Sequence, residues 1–279
     1  MPVFTPKTTI SVEGGFLFSN YTSPDAFAAS SPSTGKIGTP GDKKYGGYGA
    51  ISFGQDINPL YDWRISAAFN AFRNANGSAS GSFPVPIVGS ITNTITETDK
   101  FHFLTLDFDV GRRWENGDLQ LRAFAGLRGL RTADDFSNLE NVTVGKLGSA
   151  SSSVTGTSHF TGIGPRIGLD MFYGSTFGVV GSVSGAVIWG IRDSNVTITS
   201  TVPVSFSSTQ SDSKSTWVEN LSGSLGLAWQ FAPGASLVLG YRADAWWNIR
   251  DDFSYTGINF NNDKDIVIHG PFIRVTVRQ

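Results

Sequence analysis

The sequence contains no cysteine. That excludes a disulfide-stapled scaffold, a thiolate zinc site and a cysteine nucleophile. Charge is also scarce, at 16% of residues against about 25% in an ordinary soluble domain. Its 21 basic and 23 acidic residues nearly cancel, to a net −2. Nucleic acid as a partner is therefore excluded, because a binder of it would carry a basic footprint. No apolar run approaches the roughly 18 residues of a membrane-crossing helix. The opening stretch from Met1 to Lys7 has neither the basic nor the apolar part of a secretory leader. Either the chain stays in the cytoplasm or its signal peptide is removed before residue 1.

Glycine, by contrast, is plentiful at 33 residues, and aromatics reach 13%. Serine and threonine fill much of the rest. Low charge, modest apolarity and many small and aromatic residues suit a wall with lipid on one side and water on the other. Ten segments alternate apolar and polar residues as strands do. They lie near residues 8–20, 45–56, 62–73, 99–114, 119–131, 159–172, 177–192, 216–231, 236–248 and 265–278. Long polar connections (21–44, 74–98, 132–158, 193–215, 249–264) alternate with short ones (57–61, 115–118, 173–176, 232–235). Asn116-Gly117 is a strong hairpin signal. An even strand count with long loops at one end and tight turns at the other predicts an all-β fold. It is a single antiparallel transmembrane β-barrel of about ten strands over residues 1–279.

Two placements sharpen this. Trp63, Trp114 and Trp229 flank short turns, while Trp189, Trp217, Trp246 and Trp247 flank long loops. That makes two membrane-interface girdles, where indole rings meet headgroups. The lysines avoid the strands; the arginines sit within them. Apolar files such as Leu221, Leu225, Leu227 and Leu237, Leu239, Tyr241 are assigned to lipid. The opposite files carry Arg64, Asp107, Asp109, Arg113, Arg122, Arg128, Arg166, Asp170, Arg242, Asp244 and Arg274. These are the candidate pore-lining residues of a narrow, ion-paired lumen. Arg112 falls on the lipid file near the short turns, where its guanidinium can snorkel to the interface.

Other chemistry finds little footing. His102, His159 and His269 lack the carboxylate spacing of a metal or protease site. Asp107-Phe108-Asp109 has a pair's spacing but lies toward the short-turn end. Asp251, Asp252, Asp263 and Asp265 form an acidic loop cluster that either holds divalent cations or is simply solvated. No catalytic residue, cofactor or metal is expected.

Three stretches carry a family resemblance: Leu121-Arg122-Ala123-Phe124-Ala125-Gly126-Leu127-Arg128; Gly164-Pro165-Arg166-Ile167-Gly168-Leu169-Asp170; and Gly240-Tyr241-Arg242-Ala243-Asp244-Ala245-Trp246-Trp247. Together they resemble the pore-forming outer-membrane proteins related to the Legionella major outer membrane protein. The resemblance covers about residues 100–250. It implies a bacterial outer-membrane location with the leader removed, porin-like function and no catalysis. It departs at the end of the sequence, Val277-Arg278-Gln279, where such barrels usually carry an aromatic; Phe272 or Val277 would have to serve.

The function expected is passage of ions or small polar solutes through the narrow Arg/Asp-lined lumen. Outer-membrane lipid and lipopolysaccharide are the expected surroundings, with a homo-oligomer or a surface partner as further contacts. The first alternative is a non-conducting structural or adhesin-type barrel presenting its long loops. Less favoured are an omptin-type outer-membrane enzyme and a soluble β-sandwich, which would bury Leu121, Leu225 and Leu239. Ten strands lie nearer the filled eight-stranded barrels than the wide porins.

Overall fold

The computed structural model describes residues 5–19, 44–73, 77–85, 89–144, 148–201, 205–251, 254–255, 258–259 and 264–279. Its strands are β1 (Thr8–Ser19), β2 (Lys44–Asp56), β3 (Tyr61–Arg73), β4 (Gly77–Val85), β5 (Gly89–Asn116), β6 (Leu119–Val144), β7 (Gly148–Gly174), β8 (Phe177–Ser200), β9 (Phe206–Ala232), β10 (Ala235–Trp247), the two-residue β11 (Ser254–Tyr255) and β12 (Ile258–Asn259), and β13 (Ile266–Arg278). Ten of them pair antiparallel in a closed ring, in the order β1, β2, β3, β5, β6, β7, β8, β9, β10, β13. Closure leaves the membrane-spanning wall no free strand edge, which a lipid core requires.

The four short turns fall where the sequence places them. Asn116-Gly117 closes β5 onto β6 with Gly117 at φ 58°, and Gly234 turns β9 into β10 at φ 75°. Both described chain ends meet at this end of the barrel, where Thr8 and Gln279 exchange backbone hydrogen bonds of 2.8 and 2.9 Å.

Side-chain parity follows the strand period of two. The outer face is apolar: Leu225 is 60% and Leu239 58% exposed. A soluble sandwich would hide both, so that alternative falls. The inner face carries the arginines, carboxylates and glycines. Trp114 and Trp229 project outward near the short turns, and Trp189, Trp217 and Trp247 near the far end. Trp63 faces the short-turn girdle, in ring contact with Phe53 at 5.5 Å. Arg112 lies over the rings of Trp114 and Tyr61, at 5.2 and 5.9 Å.

Two expectations need correction. Trp246 is not an interface residue: it is only 3% exposed and packs inside the ring. It shares parity with Arg242 and Asp244, and only its neighbour Trp247 faces out. Phe272 likewise points inward, against Ala228 and Val238.

Strands β5 to β9 run 24 to 28 residues, where a crossing needs about 9–11. Three segments expected to be loops are therefore largely paired strand. Residues 132–144 pair with 148–160, and 193–200 with 206–213. Part of 74–98 forms β4 against the start of β5. Runs such as Val196-Thr197-Ile198-Thr199 are good strand formers. Phe136, Val154 and Val196 close a small core on the inner face of this raised wall. The first long connection, 21–44, ends at Lys44 in β2; the rest of it, with Lys36 and Lys43, lies outside the described residues, as do Lys146, Asp252 and Asp263.

Candidate functional site

The barrel interior has three tiers. The lowest, next to the short turns, is a cavity of about 440 Å³ whose mouth is lined by Thr9, Gln55, Gln120 and Arg278. An ion-pair lattice forms its walls. Arg113 reaches Asp56 and Asp62, each at 2.6 Å. Arg122 binds Asp62 at 2.6 Å and also Asp109. Arg166 meets Asp109 at 3.0 Å, and Arg128 meets Asp107 at 2.7 Å. Arg64 crosses from β3 to Asp170 on β7 at 3.0 Å. Arg242 holds Asp244 at 2.7 Å, Arg274 holds Glu13 at 2.5 Å, and Arg278 holds Asp56 at 2.9 Å. Planar guanidiniums suit such multiple pairing. They also stack: Arg166 lies 4.6 Å from the Phe124 ring and Arg242 4.0 Å from that of Tyr48.

Glycines make the lattice fit. Arg122 passes over Gly111, where a Cβ would stand 2.3 Å from its Nε. The Gly164-Pro165-Arg166 motif works the same way. A Cβ on Gly164 would lie 1.8 Å from the Val187 carbonyl. Pro165 has no N–H to give to β8. Arg166 then turns inward to the carboxylates of β5.

The second tier is apolar and closes the lumen. Leu17, Phe72, Phe101, Phe103, Leu130, Phe160, Ile188, Val218, Trp246, Ile266 and Ile268 are buried in one cluster, with Tyr48 packed against it. Every strand of the ring contributes at least one of them. Phe103 meets Trp246 edge-on at 5.1 Å.

The third tier is a strap. Just past β10 the chain turns at Asn248, the only described non-glycine residue at positive φ, 56°. Ile249 drops into the apolar cluster. Arg250, wholly buried, binds Asp134 at 2.8 Å and Asp99 at 3.3 Å. Arg192 donates to the carbonyls of Arg250, at 2.9 Å, and of Asn248. Asp251 is held by Lys214 at 2.9 Å and by Ser194. The strap is thus tied to β5, β6, β8 and β9.

All eleven arginines and aspartates assigned to the interior lie on the inner face, in the lowest tier. Residues that sequence reasoning missed include Asp56, Asp62 and Arg278, whose signal was parity beside the turns, and Glu13, on the inward file in the middle of β1. The strap residues gave none, because Arg250 lies past the end of its strand. Asp134 and Asp251, read as loop acids, are ion-paired. Among the described residues no acidic or histidine cluster could hold a metal. His102 and His159 project from the outer face, and His269 meets Tyr241 there at 2.5 Å.

A closed antiparallel ring with an apolar outer band, aromatic girdles at both margins and a polar inner face defines an outer-membrane β-barrel. The model of one family, described as the Legionella pneumophila major outer membrane protein precursor, matches residues 54–278. The chain belongs to that family, and it is a protein of the bacterial outer membrane. Among solved structures it is similar to the outer membrane protease OmpT from Escherichia coli, at TM-score 0.35 and 11% identity, covering 98% of this chain and 95% of that one. A major outer membrane protein from Thermus thermophilus gives TM-score 0.34 and 12% identity, covering 99% and 100%. Ail, the attachment invasion locus protein of Yersinia pestis, gives 0.28 and 10%, covering 99% and 100%. No curated protein matches the chain in sequence.

Proposed function

We propose that this protein is a closed barrel that carries a raised β-wall at the cell surface, as a structural or adhesin-type outer-membrane protein. The carrying observation is the apolar tier, to which all ten strands of the ring contribute. An ion would have to shed its hydration shell to cross it, at prohibitive cost. In this reading the short turns face the periplasm and the extended β5 to β9 face outward. The apolar band contacts lipid and lipopolysaccharide. No catalytic step is assigned, since His102, His159 and His269 point away from the interior carboxylates.

The narrow-pore reading rests on the polar cavity, and would need the apolar tier and strap to move apart. Two assays separate the readings. Proteoliposomes holding the folded protein are expected to exclude arabinose as tightly as protein-free vesicles; osmotic swelling would favour the pore. Bacteria displaying the chain are expected to bind cultured host cells. Joining Asp135 directly to Thr157, paired positions on β6 and β7, is expected to abolish that binding while leaving the barrel folded. Undiminished binding would remove the wall from the function.

A further inference from the structure

Three carboxylates of the cavity each carry two arginines, and the two differ in depth. Glu13 pairs with Arg242 and Arg274, Asp56 with Arg113 and Arg278, and Asp170 with Arg122 and Arg64. The deeper member of each pair has a side chain 17%, 19% and 8% exposed; the shallower member is 30%, 36% and 37% exposed. Each deeper arginine is shared with a further carboxylate: Arg242 with Asp244, Arg113 with Asp62, and Arg122 with Asp62 and Asp109. The shallower guanidinium pairs with one carboxylate and turns its spare N–H donors toward the cavity. A guanidinium has five such donors and no acceptor, and it matches phosphate and carboxylate in a bidentate fork. Glu13 and Asp56 lie behind, 10% and 6% exposed, while Asp170 is 25% exposed. Glu115, at the turn, adds one rim carboxylate outside these pairs. The cavity, about 440 Å³, is within the range of small-ligand sites, roughly 300–1,000 Å³.

We infer that this vestibule is a binding site for a small oxyanion, of phosphate or carboxylate type, entering from the short-turn end and held by Arg64, Arg274 and Arg278. The site is independent of whether the barrel conducts, because the apolar tier lies beyond it.

The test is equilibrium dialysis of the full chain, in a neutral lipid-free detergent, against radiolabelled inorganic phosphate over a fixed chloride background, with succinate as competitor. Saturable binding of one phosphate per barrel is expected. Arg274→Gln or Arg278→Gln should weaken it at least tenfold, and the double variant should lose it. Each leaves its carboxylate one arginine, so folding, read as heat-dependent gel mobility, should persist. Arg64→Gln, which leaves Asp170 to Arg122, is the second route should the double variant misfold. Arg112→Gln, on the outer face, should bind as the parent does. Competition by succinate marks a general oxyanion site, and its absence a phosphate site. No saturable binding, or equal binding by folded Arg274→Gln, Arg278→Gln and Arg64→Gln variants, would overturn the inference.

Discussion

Arg250 shows how one side chain can tie a strap into a barrel. Its guanidinium has no exposure and binds the equally hidden Asp99 and Asp134. Breaking a buried pair costs about 3–5 kcal/mol, because the partner charge is stranded. Arg250→Ala should therefore lower the unfolding free energy in detergent by about that much. Lys214→Ala, at a half-exposed partner of Asp251, should cost under about 1 kcal/mol. Equal effects on the urea midpoint would refute this ranking. At this scale the sequence was legible wherever strand parity applied: it put Arg122, Asp109 and Arg242 inside without a structure. Parity also assigns Trp246 and Trp247 to opposite faces, and reading both as girdle residues ignored it. Arg250 was illegible because periodicity ends with the strand, while the strap's course is set by partners on four other strands.

Among the strands, close approach decides which glycines matter. Gly164 faces the Val187 carbonyl at 1.8 Å from a would-be Cβ, whereas Gly47 has open space. Gly164→Ala should destabilise the barrel by about 1–3 kcal/mol through overpacking. Gly47→Ala should fall within about 0.5 kcal/mol of the parent, as substitutions on open surface do. Thermal unfolding followed by gel mobility would show both; a neutral Gly164→Ala would contradict the packing account. The ring's ten strands and short turns could be read from alternation and from Asn116-Gly117. The outer halves of β5 to β9 could not. Their apolar residues, such as Val196 and Ile198, are few and set among Ser and Thr, so the pattern resembles a loop. Pairing across the hairpins and the small core of Phe136, Val154 and Val196 make them strands.

At the scale of the whole molecule, a wall on one side and tight turns on the other give a definite orientation. The absence of cysteine makes it easy to test. On intact cells a membrane-impermeant maleimide should label Ser211→Cys, high on β9, and leave Asn58→Cys, at a short turn, unlabelled until the outer membrane is opened. The reverse pattern would invert the barrel. The outer-membrane class was legible from composition, girdles and loop lengths together. Closure was not, because the apolar tier takes one or two residues from each strand and no single strand displays it. The most direct test of that closure is the current through a planar bilayer holding the purified, folded protein. The account predicts a baseline free of discrete steps; reproducible unitary steps from the wild-type chain would contradict it.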